Sequence, residues 1–278
     1  MLGRVSFIGG GVMGEAIVQG LLAKHLLKPE NITVSEPRRQ RREELRKKHH
    51  VKVTGNNREA AQSCDILLFS VKPQDLRHVL AELKGSMQRR QLVISIVAGA
   101  RLETISKGLA YNAVVRVMPN TPAQIGEGIS VWTATQEVKE NQKQQARMIL
   151  QALGKEIYVE DEKFVDMATA VSGTGPTYVF LVMEAMIDAA VHLGFPRHVA
   201  HELVTETMRG SIMFAMKSSK HPAELRNMVT SPGGTSAEAL YHLEKGTLRT
   251  VLSKAIWAAY ERTVALGQGQ DVSEGKEE

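Results

Sequence analysis

Cysteine is nearly missing from this chain of 278 residues, with Cys64 the only one. A lone thiol cannot close an intrachain disulfide, and it suits a reducing compartment, so the cytoplasm is the expected location. Aromatic residues are scarce at 5%, and Lys plus Arg outnumber Asp plus Glu by only 35 to 30. Positions 37 to 50 hold seven Arg or Lys against two Glu, a difference of +5 that equals the net charge of the whole chain, +5. The remainder is therefore balanced. A basic excess confined to one helix-like run is the pattern of a solvated face, and no nucleic-acid partner is expected. No apolar run approaches the roughly 18 residues of a membrane-spanning helix, and the N-terminus enters a strand directly instead of a charged leader, so neither a membrane nor export is expected.

Several kinds of catalytic machinery are missing as well. The chain has no G-x-S-x-G, no cysteine pair and no P-loop lysine after G-x-x-x-x-G. His198 and His201 lie beside Glu202 at helical spacing, but no third ligand accompanies them, so no metal is expected.

What is present begins at Arg4 to Gly14, RVSFIGGGVMG, where a short apolar run stops at glycines and a helix starts. Gly9, Gly11 and Gly14 have the G-x-G-x-x-G spacing that lets a chain turn tightly out of a strand and bring bare backbone against a pyrophosphate at a helix N-terminus. Ile32-Thr33-Val34 resumes as a strand ending at Ser35-Glu36-Pro37, which completes one βαβ unit. Glu36 stands where such folds place the group that meets the adenosine ribose, and a carboxylate there favours NADH. Arg38 and Arg39 follow at once and can accept a 2′-phosphate, which favours NADPH. The two signals conflict.

Strands are expected at Val51–Thr54, Asp65–Val71, Gln91–Ala98, Ala113–Met118, Gly128–Trp132 and Glu156–Val159, with helices between them. The apolar DILLFSV and QLVISIVA read as parallel strands covered on both faces. Ser70 to Pro73 falls at a strand's carboxyl end, where a cofactor would lie. Asn120, in Pro119-Asn120-Thr121-Pro122, can either contact cofactor or substrate or make a local Asx turn. From Asp161 onward every periodic segment reads as helix. The expected organisation is therefore a dinucleotide-binding domain over 1–160, a helical domain over 161–266 and a mobile tail over 267–278: an α/β fold in which a Rossmann-type, doubly wound, mainly parallel sheet precedes an all-helical half. Tyr178 to Met183 is apolar on every face and suits a core or an oligomer interface. Ser172 to Thr177 packs hydroxyls and glycines in a break between helices, either a tight crossing or a contact with the opposite domain. Thr230 to Ser236, TSPGGTS, offers a second glycine turn opening a helix, a site for a small carboxylate.

The segments FIGGGVMGEAI, SVKPQ, VRVMPNTPAQIGEG, VSGTGPTYVF and HPAELRNMVTSPGGTSAEALYHLE run in order along nearly the whole chain, and in them the sequence resembles the pyrroline-5-carboxylate reductase family. The resemblance implies reduction of 1-pyrroline-5-carboxylate to L-proline with NADPH or NADH. It implies cofactor contacts at Ile8, Gly9, Gly10, Gly11, Val12, Met13, Glu36, Asn57, Ser70, Val71, Lys72, Pro73, Ile96, Val97 and Ala98, with Arg38 and Asn120 as further candidates. The substrate would meet Ser231, Gly234, Thr235 and Ser236, with Glu162 near its ring and Ser236 as the catalytic hydroxyl. A homodimer through the helical domain, and a decamer of five dimers, are implied too. Two departures stand out: Ser236 replaces the family's usual threonine, keeping the hydroxyl without the methyl that fixes its rotamer, and Met228 replaces a residue that is often polar. A cyclic imine can carry the proton on its own nitrogen, so the missing histidine base agrees with this chemistry and not with oxidation of an alcohol. The competing readings are a 3-hydroxy-acid dehydrogenase, which should carry a lysine where this chain has Gly173 to Tyr178, and a redox sensor, which has no use for the second glycine turn.

Overall fold

The computed structural model of the chain describes residues 2–268. Its strands are β1 (Val5–Ile8), β2 (Ile32–Ser35), β3 (Lys52–Thr54), β4 (Ile66–Phe69), β5 (Leu92–Ser95), β6 (Val114–Met118), β7 (Gly128–Ala134) and β8 (Gly154–Tyr158). They form one eight-stranded sheet in the order β3-β2-β1-β4-β5-β6-β7-β8. Every pairing is parallel except that of β6 with β7. Strand order reverses between β1 and β4, which leaves a crevice at their carboxyl ends, the ligand site of a doubly wound sheet.

Alternation along each strand explains the continuous apolar runs. Val5, Phe7, Ile66, Leu68, Leu92 and Ile94 enter one core, while Ile8, Leu67, Phe69 and Val93 enter a second. Successive side chains point to opposite faces, so a strand covered on both must be apolar throughout. The covering helices are α1 (Val12–Ala23), α2 (Arg39–His49), α3 (Asn57–Gln62), α4 (Pro73–Leu83), α5 (Leu102–Leu109) and α6 (Glu140–Gln151). Local chemistry sets their ends. The Asn56 side chain accepts from the amides of Arg58 and Glu59 to start α3, and Pro73 occupies the first turn of α4, where its missing N–H costs nothing. The basic helix α2 buries only Leu45 and His49, as a solvated face should.

The second half comprises α7 (Lys163–Ala168), a π turn (Thr169–Gly173), α8 (Gly175–His192), α9 (Arg197–Lys217), α10 (Pro222–Met228), α11 (Thr235–Lys245) and α12 (Leu248–Gly267). The break expected at Ser172 to Thr177 is instead a π turn inside one continuous helical run. Thr174 N–H reaches back five residues to Thr169 C=O at 2.8 Å, which lets the run absorb an extra residue just before Pro176, whose nitrogen cannot donate. The joined run Lys163–His192 is 30 residues long and, by length and composition alone, apolar enough to cross a membrane.

The described residues divide into two compact units, one of 2–174 with 259–268, the other Gly175–Ala258. The expected boundary near 160 thus differs from the structural one, because Glu162 and Asp166 are tied into the first unit by Arg116. The end of α12 also belongs to that unit: a Cβ on Gly99 would lie 2.9 Å from Leu266 Cβ. Gly267, expected to open the tail, is the last residue of α12, and the tail from 269 lies outside the described residues. Within the second unit Ile187, Ala200 and Val204 form a small core. Large apolar side chains stay exposed there, among them Phe180 at 58%, Leu181 at 64% and Trp257 at 62%.

Candidate active site

The glycine turn leaves β1 at Gly9, whose φ of +102° belongs to the region that disfavours side chains. A Cβ there would lie 2.8 Å from the Ser70 carbonyl oxygen, and one on Gly14 would lie 2.7 Å from Ser70 Oγ. Ser70 Oγ in turn donates to Gly9 C=O at 2.8 Å, which clasps the turn to the end of β4. Gly11 is the N-cap of α1 with no side-chain cap, and a Cβ on it would meet nothing within 4 Å. Bare amides at a helix start with open space before them suit a diphosphate, and the helix dipole favours the anion.

A cavity of about 690 Å³ opens at this point. It brings together Ile8, Gly9, Gly11, Glu36, Arg38, Asn57, Ser70, Val71 and Lys72 from the ends of β1, β2, β3 and β4. Among the other expected cofactor residues, Gly10 packs behind the turn, where a Cβ would meet Leu45 at 2.6 Å. Val12 is exposed on the first turn of α1, while Met13 is partly buried and packs against the first core. Pro73, Val97 and Ala98 line a separate cavity of about 550 Å³ beside Gly99 and Leu266. Ile96 packs against the first core and its N–H bonds Phe69 C=O at 3.1 Å. Asn57 is held on both sides, accepting from Ser35 Oγ and donating to Glu82, each at 2.7 Å.

Two expectations meet other uses. Asn120 makes no Asx turn, and its Oδ1 accepts from Ile129 N–H at 2.9 Å, tying the turn before β7 in place. Glu162, expected near the substrate ring, accepts from Leu102 N–H at 2.7 Å and from Arg116 at 2.8 Å. It therefore holds the N-terminus of α5. Arg116, 1% exposed, also donates to Asp166. Sequence reading passed over this arginine, although a lone cation inside the apolar VVRVM was the signal, since buried charges need partners.

In the second unit Gly234 is the N-cap of α11, again with no side-chain cap. Gly233, at φ +69°, makes the turn, and Gly234 N–H bonds Ser231 C=O at 3.0 Å. Ser231, Thr235 and Ser236 are exposed around this helix start, so one loop carries the four expected substrate residues, with uncovered amides and hydroxyls.

A doubly wound sheet with a glycine turn, an acidic residue after β2 and a cavity at the switch point defines a dinucleotide-dependent oxidoreductase of the Rossmann type. The model of the family described as NADP oxidoreductase, coenzyme F420-dependent, matches residues 4–99, and that of pyrroline-5-carboxylate reductase dimerisation matches 162–266. The pyrroline-5-carboxylate reductase of Synechocystis is 42% identical over 265 residues, 95% of this chain and 98% of its own. The solved structure of the Coxiella burnetii pyrroline-5-carboxylate reductase is 36% identical, with a TM-score of 0.85 over 96% of this chain and 99% of its own. That of the Plasmodium falciparum enzyme, with NADP bound, is 33% identical at a TM-score of 0.88 over 95% of this chain and 98% of its own. The chain belongs to the pyrroline-5-carboxylate reductase family. It is an NAD(P)-dependent oxidoreductase whose helical half is a dimerisation domain, which makes it a homo-oligomer.

Proposed function

We propose that the protein reduces 1-pyrroline-5-carboxylate to L-proline, the last step of proline biosynthesis. The observation that carries this reading is that kinship to the reductases extends through both halves, so the dinucleotide turn and the TSPGGTS loop belong to one enzyme.

When bound, the cofactor supplies hydride from C4 of its nicotinamide. The amides at the start of α1 would hold its diphosphate, Glu36 would meet the adenosine ribose, and the backbone at Ser70–Lys72 would line the nicotinamide side, while Pro73, Val97 and Ala98 line the separate cavity. The amides of Thr235 and Ser236 at the start of α11 bind the substrate carboxylate, where the helix dipole favours an anion. Ser236 Oγ accepts a hydrogen bond from the protonated ring nitrogen, holding the proton there as the C=N electrons shift onto nitrogen. Positioning and the cofactor supply most of the acceleration. Glu162 serves by fixing the start of α5 through its bonds to Leu102 and Arg116.

The exposed apolar side chains of α8, α9 and α12 fit a homodimer formed through the helical domain, with five such dimers assembling into a decamer. The run Lys163–His192 carries Glu184 and Asp188 and falls within the dimerisation match, so its apolar surface faces protein and not lipid. A single buried cysteine agrees with the cytoplasm.

The test is NADH or NADPH consumption on adding pyrroline-5-carboxylate, with a 3-hydroxy acid and NAD(P)⁺ as the opposing assay; turnover of the second alone overturns the reading. Ser236→Ala should lower kcat by roughly ten- to a hundredfold, the loss of one hydrogen bond to a charged group, and leave cofactor affinity unchanged. Full turnover by that variant removes Ser236 from the mechanism.

A further inference from the structure

The conflict between an acidic and a basic signal after β2 is resolved by what each side chain touches. Glu36 is 4% exposed. Its Oε2 accepts from Gly10 N–H at 3.0 Å, and its Oε1 accepts from Arg38 N–H at 3.2 Å and Arg38 Nε at 2.7 Å. A Cβ on Gly10 would stand 2.6 Å from Leu45 Cδ1 and 3.3 Å from Glu36 Cβ, so this approach is a close one. The carboxylate is thus fixed from both sides and cannot swing away from an incoming ligand. Burial alone would raise its pKa, but the hydrogen bonds from Arg38 and Gly10 hold it below the ordinary value, so it stays charged.

The arginines that sequence offers to a 2′-phosphate are already engaged. Arg38 lies on Glu36, and Arg39 pairs with Glu43 on the exposed side of α2. Arg41 reaches Gly10 C=O, Glu15 and Glu44. Arg42 donates to the carbonyls of Glu36 and Pro37 at 2.7 and 2.8 Å. Of these, Arg38 alone reaches the cavity that Glu36 lines, beside Asn57 and Gly55, and there its Nε is held by Glu36.

Resting on the dinucleotide reading of this cavity, we infer that Glu36 is the specificity-determining residue for the cofactor and selects NADH over NADPH. A vicinal diol donates both hydroxyls to a fixed carboxylate, whereas a 2′-phosphate brings negative charge against it, and Arg38 is neutralised by the same carboxylate. The inference runs against the description of the N-terminal family match, which names NADP. That makes the outcome decisive.

The experiment measures Kd for NADH and NADPH by quenching of protein fluorescence, with no substrate present, so that it stands apart from the identity of the imine. The native protein should bind NADH at least tenfold more tightly. Glu36→Gln keeps the shape, removes the charge and frees Arg38; it should weaken NADH several-fold and tighten NADPH, moving the ratio at least thirtyfold. Arg38→Ala in the Glu36→Gln background should cancel the gain for NADPH. If Glu36 only props up the glycine turn, Glu36→Gln weakens both cofactors equally, and that result overturns the inference, as does tighter NADPH binding by the native protein. Should the binding ratios hold while pyrroline-5-carboxylate is not reduced, the reaction falls and the cofactor assignment stands.

Discussion

At the scale of single residues, the site is made of positions where a side chain is impossible or already committed. Gly9 joins a left-handed φ to a Ser70 carbonyl lying 2.8 Å from any Cβ, so sterics and backbone strain act together. Gly9→Ala should abolish NADH binding and destabilise the protein by about 1–3 kcal/mol, read from cofactor titration and the urea midpoint. Gly11→Ala, with nothing within 4 Å of its Cβ, should fold normally and lose affinity alone, so the pair separates the turn from the ligand. The G-x-G-x-x-G spacing announced these glycines because such a turn is local. Glu162 was not legible in the same way. Resemblance placed it at the substrate, while its bonds to Leu102 and Arg116 cross 60 and 46 residues of sequence. Nothing in its neighbourhood along the chain indicates those partners. Cys64 is fully buried, and burial pushes its thiol up to about 11, which keeps it a thiol.

At the scale of elements, α1 and α2 are joined beneath the cofactor loop by one carboxylate. Glu15 on α1 pairs with Arg41, Lys48 and His49 of α2. Burial alone would raise its pKa, but hydrogen bonds from His49, Arg41 and Lys48 outweigh that and hold it at about 2 against an ordinary 4.5. A carboxyl lowered on folding contributes stability that is fully present above the unfolded value and is lost as pH falls through the folded one. Glu15→Gln should therefore lower the melting temperature at pH 7 and flatten its fall between about pH 4.5 and 2; an unchanged slope in that window would show that the cluster adds nothing. The solvated basic face of α2 is legible in the sequence, since charge pattern and period are properties of the chain. The partner of its inner edge depended on where the sheet set α1 down beside it. The same distinction explains the π turn at Thr169–Gly173: glycines and hydroxyls announced an irregularity, and only the bond from Thr174 to Thr169 showed that the helix continues through it.

At the scale of the whole molecule, the apolar side chains left open on the helical unit make stability a matter of concentration. A homo-oligomer whose interface covers them should melt at higher temperature as protein concentration rises, because association acts only on the folded chain. Calorimetry over a hundredfold dilution, with sedimentation at the same concentrations, checks this; a melting temperature independent of concentration, with a monomer throughout, would remove the dimer. What the sequence determined by itself was the succession of strands and helices, the two glycine turns that open α1 and α11, and the two-part organisation. These follow from periodicity, capping and backbone freedom, which act over a few residues. The tertiary structure decided which charges meet: Glu36 with Gly10 and Arg38, Glu15 with α2, and Arg116 with Glu162 and Asp166. Electrostatic partners are chosen by proximity in space, and strand register and order alone bring residues tens of positions apart within hydrogen-bonding distance.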